Sequence, residues 1–175
     1  MENLTINNGV YQPKLNFSFY RQTRDDKELS NGNQDGFSAL VEGLLSENVD
    51  VIVSTYYHAL AWYKRNQPSE TDVEEALEAS VFASDEATDQ AFADILNALK
   101  ADGFLARKLR EYVKNSDKNA DMVQAQIDQT KDEERASQLS IGLKEITAET
   151  NKLKSLLASD ESSPKPGESD LAHQN

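Results

Sequence analysis

Asn48-Val49-Asp50-Val51-Ile52-Val53-Ser54-Thr55-Tyr56-Tyr57-His58-Ala59-Leu60-Ala61-Trp62-Tyr63-Lys64-Arg65 is the stretch on which the fold turns. Val49, Ile52, Val53, Tyr56, Leu60 and Tyr63 recur at helical spacing and form one apolar face, while Val51 and Trp62 lie on a second. A helix that is apolar nearly all round belongs inside a fold. The segment therefore predicts a central helix capped by Asn48 and running to about Arg65. Lys64 and Arg65 suit the negative end of its macrodipole just before Pro68.

The flanking sequence supplies the layers around it. Before it, Asp35 can cap a helix carrying Phe37, Leu40, Val41, Leu44 and Leu45, spaced i, i+3, i+4, i+7, i+8. After it, Ser69 and Asp72 have the spacing of a capping box that opens a helix burying Val73, Ala76, Leu77 and Val81. The acids Glu70, Asp72, Glu74 and Glu75 fall in the first turns, where the macrodipole favours negative charge. Ser84 opens a helix with Phe92, Ile95, Leu96 and Leu99 inward, and Gly103 is expected to end it as a C′ residue. A last compact helix over residues 104–115 places Leu105, Leu109, Tyr112 and Val113 on one side.

Only the N-terminal region reads as β. Leu4-Thr5-Ile6 and Val10-Tyr11 flank Asn7-Asn8-Gly9, and Asn8-Gly9 is a hairpin signal because a type I′ turn needs positive φ at both central positions. Leu15, Phe17 and Phe19 alternate with polar neighbours, which predicts a further strand. Residues 24–35, including Asn31-Gly32-Asn33, read as a flexible connector.

Composition changes near Asn115, and residues 116–160 hold no aromatic side chain. Steps of three and four from Met122 reach Leu139, Leu143, Ile146, Thr150, Leu153 and Leu157, a seam that is polar at first and heptad-like in its second half. The fold class expected is thus mainly α (α+β): an N-terminal β-hairpin and a compact bundle of about five helices over 1–115, then a long amphipathic, coiled-coil-like helix over 116–158. Residues 159–175 read as a disordered tail.

Charge and chemistry narrow the function. A net charge of −13 opposes a nucleic-acid groove and an anionic membrane surface as partners. No run approaches the ~20 apolar residues of a membrane span, and the first residues lack the basic and apolar regions of a secretion signal. The protein is expected to remain where it is made. With no cysteine, disulfides, thiolate metal sites and a thiol nucleophile are excluded. His58 has no acid three or four residues away to orient it, and His173 lies in the tail. Asp25-Asp26 and Glu74-Glu75 read as solvated surface, because adjacent residues do not face one another. There is no phosphate loop and no nucleophile elbow. The expectation is a protein without catalytic, metal or cofactor site, acting by holding other protein chains.

Two groups stand out as candidate partner-binding surfaces. Arg107, Lys108, Arg110 and Lys114 form a basic cluster in an acidic chain; such a cluster also serves as a helix end complementing its dipole. Tyr56, Tyr57, Trp62 and Tyr63, with Phe37 nearby, exceed what one small layer easily covers, although helical aromatics more often pack inside. The candidate partner-binding residues are Tyr56, Trp62, Tyr63, Arg107, Lys108 and Arg110.

The order of pieces resembles a known family. Leu15-Asn16-Phe17-Ser18-Phe19 leads to Asp35-Gly36-Phe37 and then to Tyr57-His58-Ala59-Leu60-Ala61. Pro68-Ser69-Glu70-Thr71-Asp72-Val73-Glu74-Glu75-Ala76-Leu77-Glu78 follows, and Gly103-Phe104-Leu105-Ala106-Arg107-Lys108-Leu109-Arg110 closes the series. This arrangement over residues 1–115 is similar to the tail assembly chaperones of long-tailed phages infecting Gram-positive bacteria. The resemblance implies a protein that coats the aggregation-prone tape measure protein in the host cytoplasm and is absent from the finished virion. It further implies self-association, and a C-terminal extension that recruits the tail tube protein. The rival readings are a generic helical adaptor or scaffold and an acidic inhibitor that imitates nucleic acid. The latter needs carboxylates aligned on one face, whereas here they are interleaved with basic residues.

Overall fold

In the computed structural model, which describes residues 1–30 and 34–159, the helix expected at the centre is there. It is α3 (Asp50–Ala59), and Val51, Ile52, Thr55, Tyr56, His58 and Ala59 are all buried. Asn48 holds its entrance, with Oδ1 accepting from the Asp50 amide at 3.1 Å, although the helix begins at Asp50. It stops earlier than the sequence suggests. Residues Ala61–Asn66 tighten into a 3₁₀ turn with Lys64 at φ 58°, so Trp62 and Tyr63 leave the helical face of Tyr56.

α2 (Gly36–Leu45) packs beside it, capped by Asp35, whose Oδ1 accepts from Ser38 N. Two glycines set how closely its neighbours approach. A Cβ at Gly36 would run into the Thr23 carbonyl oxygen and come within 3.0 Å of that of Asp26. One at Gly43 would meet Val51 Cγ1 at 2.5 Å. The capping box of α4 (Glu70–Glu78) forms as read, with Asp72 N donating to Ser69 Oγ at 3.2 Å and Ser69 N donating to Asp72 Oδ2 at 3.1 Å. Ser84 caps α5 (Asp85–Ala101), whose Phe92, Ile95, Leu96 and Leu99 face inward.

The N-terminal hairpin pairs β1 (Leu4–Ile6) with β2 (Gly9–Tyr11), in register Leu4 to Tyr11 and Ile6 to Gly9. The turn centre is Asn7-Asn8, with φ of 48° and 65°, instead of Asn8-Gly9; Gly9 is the first residue of the second strand. Asparagine tolerates this left-handed region because its short side chain costs little there. Leu4 and Ile6 enter the core while Thr5 faces solvent.

Two expectations fail for local reasons. The strand read from Leu15, Phe17 and Phe19 is instead α1 (Phe17–Asp25). Asn16 Oδ1 accepts from the amides of Ser18 and Phe19 at 2.9 and 3.1 Å, an N-cap that starts a helix where a three-residue alternation suggested a strand. Phe19, Tyr20 and Thr23 then bury one helical side. Gly103 does not end a helix. Asp102 ends α5 and caps α6 (Gly103–Gln129) through the Phe104 and Leu105 amides, so Gly103 is the first residue of that helix.

α6 runs through residue 115 without a break and carries 116–129 with it. The long C-terminal helix is α7 (Glu133–Ala158), capped by Asp132, and it folds back along α6 as a helical hairpin. Lys154 Nζ meets Asp117 Oδ1 at 2.7 Å across the pair. A single hydrophobic cluster reaches from Leu4 to Leu109, and beyond it only Leu153 is a buried hydrophobic residue among those described. Apart from Ser159, the tail read over 159–175 lies outside the described residues, as does Asn31-Gly32-Asn33.

Candidate functional site: an aromatic and basic surface on α1 and α6

Capping by Asn16 fixes the side of α1 that meets α6. Phe19 points into the core; Phe17 is 59% exposed at the N-terminal turn. Its ring meets Phe104 edge-on with centroids 5.1 Å apart, and Tyr20 packs edge-on against both Phe104 and Phe37 at 5.1 Å. Lys108 lies above this group, its Nζ 5.3 Å from the Tyr20 ring centre and 6.0 Å from that of Phe104. Arg24 also approaches the Tyr20 ring, at 5.7 Å, and pairs with Asp25. A cation over an aromatic face is attracted by the ring quadrupole, so the stack and its charges hold one another in place.

The basic residues divide into two roles. Lys108 Nζ bonds Glu111 Oε2 at 2.6 Å, a contact that raises the lysine above its usual value and lowers the glutamate below its own. Arg107 is 79% exposed and reaches Glu111 only loosely, at 3.7 Å. Arg110 and Lys114 are exposed on the following turns. Phe17 and Phe104 with Lys108 beside them make an apolar edge with a positive border, and Arg107, Arg110 and Lys114 are exposed further round α6, on a chain of net charge −13.

The second predicted group is split. Tyr56 is 1% exposed and part of the core, and burial pushes its phenol up to about 12; a partner at the surface would not touch it. Trp62 and Tyr63 are half-buried and engaged by the N-terminal segment. Trp62 Nε1 donates to the Gln12 carbonyl at 3.0 Å, and Gln12 N donates to the Tyr63 hydroxyl at 3.1 Å. Tyr11 packs edge-on to Tyr63 at 5.0 Å, and Lys14 Nζ sits 3.7 Å above the Trp62 ring. These two aromatics tie the hairpin to the 3₁₀ turn.

Sequence reading missed two features. The exposure of Phe17 was hidden by the strand assignment; Asn16 followed by Ser18-Phe19 was the available capping signal. Asp26, assigned to solvated surface, instead accepts from the Glu28 amide at 2.8 Å and pairs with His58 Nε2 at 2.8 Å. His58 is 8% exposed and its Nδ1 has no partner. Nε2 is the ring nitrogen that faces the Asp26 carboxylate, so it carries the proton of this hydrogen bond. Thirty-two residues separate the two, so no helical spacing could signal the pair. Among the described residues no group of three or more His, Asp or Glu side chains could hold a metal ion, and no helix is long and apolar enough to cross a membrane.

A helical body that closes its own core yet leaves Phe17 exposed next to basic side chains, with no cluster of catalytic groups among the described residues, has the character of a protein-binding module. The family model described as "Phage tail assembly chaperone protein, TAC" matches residues 3–114. The chain belongs to that family. No curated protein and no solved structure shows significant similarity to it.

Proposed function

We propose that this chain coats the tape measure protein of a long-tailed phage of Gram-positive bacteria, keeps it soluble in the host cytoplasm, and leaves before the virion is complete. The observation that carries the reading is the family match over the whole helical body. The surface of Phe17, Tyr20, Phe104, Arg107, Lys108 and Arg110 supports it, because a long amphipathic helix needs both apolar cover and charge complementarity from each bound copy. Self-association along the client follows from a head-to-tail contact, which builds an open spiral when its rotation does not close. The basic face of α6 against the acidic body of a neighbouring copy is the contact proposed. The hairpin beyond residue 115 is proposed to recruit the tail tube protein, as a unit appended to the domain of residues 1–115.

Co-expression tests the reading. With this chain present the tape measure protein should move from the insoluble to the soluble fraction and co-purify with several copies of it. Charge reversal of Arg107, Lys108 and Arg110 together should abolish the effect, and reversal of the exposed Arg107 and Arg110 alone should weaken it with the thermal melt little changed. An unrelated helical adaptor would leave the tape measure protein insoluble, and that result would remove the proposal.

A further inference from the structure

The body matched by the family ends at residue 114, yet one residue far outside it completes the core: Leu153 of α7, 0% exposed. Ile146, Thr150, Leu153 and Leu157 follow one another at steps of four, three and four, and form the stripe of α7 nearest the body. Thr150 is buried and Ile146 and Leu157 half-buried. The stripe packs on α2 and α6, and beside it Lys100 of α5 donates to the Leu156 carbonyl at 3.3 Å and to Ser159 Oγ at 3.0 Å.

The seat carries a charge preference of its own. α2 has no basic residue in its last turn, and Glu47, with a left-handed φ of 59°, follows its end. Lys152 of α7 supplies the missing cation, its Nζ donating to the Leu45 carbonyl at 3.3 Å and to Glu47 Oε1 at 2.6 Å. A cation at a helix C-terminus is favoured by the dipole.

α7 fills this seat imperfectly. On the side toward Ile146 an open groove of about 890 Å³ remains between α2, α6 and α7, bordered by Ser38, Glu42, Tyr112, Asn119 and Glu149. Burial, then the charges of Glu42 and Glu145, push the Glu149 carboxyl above its usual range, with Lys152 opposing. Like charges thus face one another where the helix enters the seat.

We propose that the α2–α6 seat is a docking site for an amphipathic helix of the client, and that residues 146–157 of α7 occupy it in cis as a displaceable plug. The fitting ligand is a helix with apolar residues at i, i+4, i+7 and i+11 and a lysine immediately before the third. A neutral or basic residue where α7 has Glu149 makes it a better occupant than α7. The identity of the partner as a tail protein rests on the coating function proposed above; the existence of the seat does not.

The probe is a fluorescent peptide of residues 143–158, titrated against the full chain by anisotropy. Wild type should bind it weakly, because its own α7 is in place. Leu153→Asp, which ejects α7, should bind at least ten-fold more tightly, and the tape measure protein should compete the peptide away. Should that variant lose helical circular dichroism, Lys152→Glu, which removes the contacts to Leu45 and Glu47 and the cation that offsets Glu149, should still give a several-fold gain. Equal affinity for wild type and a folded variant with protease-sensitive α7 overturns the plug. Peptide gain without competition by the tape measure protein removes the client as occupant and keeps the coating function open to its own test. A concentration-dependent dimer abolished by Leu153→Asp assigns the seat to α7 of a second copy and overturns the client assignment.

Discussion

Replacing Asp26 with alanine should cost far more than an exposed loop carboxylate would. The carboxylate accepts from Glu28 N at 2.8 Å and from His58 Nε2 at 2.8 Å. Without it a ring that is 8% exposed has no partner at either nitrogen, since Nδ1 already lacks one. An orphaned buried donor costs about 1–3 kcal/mol, and the lost amide cap about another 1. The sum, roughly 2–4 kcal/mol, should lower the melting midpoint by roughly 5–15 °C at this chain length. The pH dependence supplies a second reading. Burial acts to raise the Asp26 carboxyl, but the Glu28 amide, the His58 ring and the Leu29 amide together hold it below its ordinary 3.8. A depressed folded-state value means that this stabilisation is present above about 3.8 and is lost as the pH falls through the lower folded value. Urea titrations followed at 222 nm should therefore show a gap between wild type and Asp26→Ala at pH 7 that narrows below pH 4. In a double-mutant cycle with His58→Ala, the pair should couple by about 1–3 kcal/mol. Coincident denaturation curves at pH 7, or additive single costs, would refute the account.

Three further outcomes are expected. Gly36→Ala forces a methyl into the Thr23 and Asp26 carbonyls and should destabilise by about 1–3 kcal/mol in the same urea assay. Phe17→Ser removes a ring that is largely in solvent, so stability should stay within about 0.5 kcal/mol while tape measure solubility on co-expression falls sharply. Leu153→Ala should cost about 2–3 kcal/mol. The cost should appear as early cleavage near residues 147–158 under limited proteolysis, with the melt of the body little changed, because every other buried hydrophobic side chain among the described residues lies at or before Leu109.

What the sequence showed was set by local rules. Asp35, Ser69 and Ser84 each sit at a cap whose hydrogen bond spans three residues, so the pattern and the physics coincide. The burial of α3 followed from apolar residues on both of its sides. The errors have a common cause in competition between short-range signals. At Asn16 a cap overrode a brief alternation, and at Asp102 one aspartate ended a helix and began the next, where Gly103 had looked like the stop. The surface itself was half legible. Arg107, Lys108 and Arg110 stand together in the chain, but the aromatic partner of Lys108 is Tyr20, eighty-eight residues earlier. No periodicity in one helix encodes that meeting.

The same contrast explains why the appended hairpin differs from the body. From Arg110 to Glu149 no described residue is buried, so this length of α6 and α7 is held mainly by one helix lying on the other. Two helices alone leave each apolar seam half open, as Val123, Ile127, Leu139 and Leu143 are here. Stability in such an arm must come from its ends: the turn at Thr130–Asp132 and the anchorage of Thr150, Leu153 and Lys152 on the body. An element seated through Thr150 and Leu153 and through contacts of Lys152, Lys154 and Lys100 opens at less cost than the whole domain, because the body it rests on keeps its own core. Under the coating function proposed above, such a tethered helix would let occupancy of the seat change while the body stays folded.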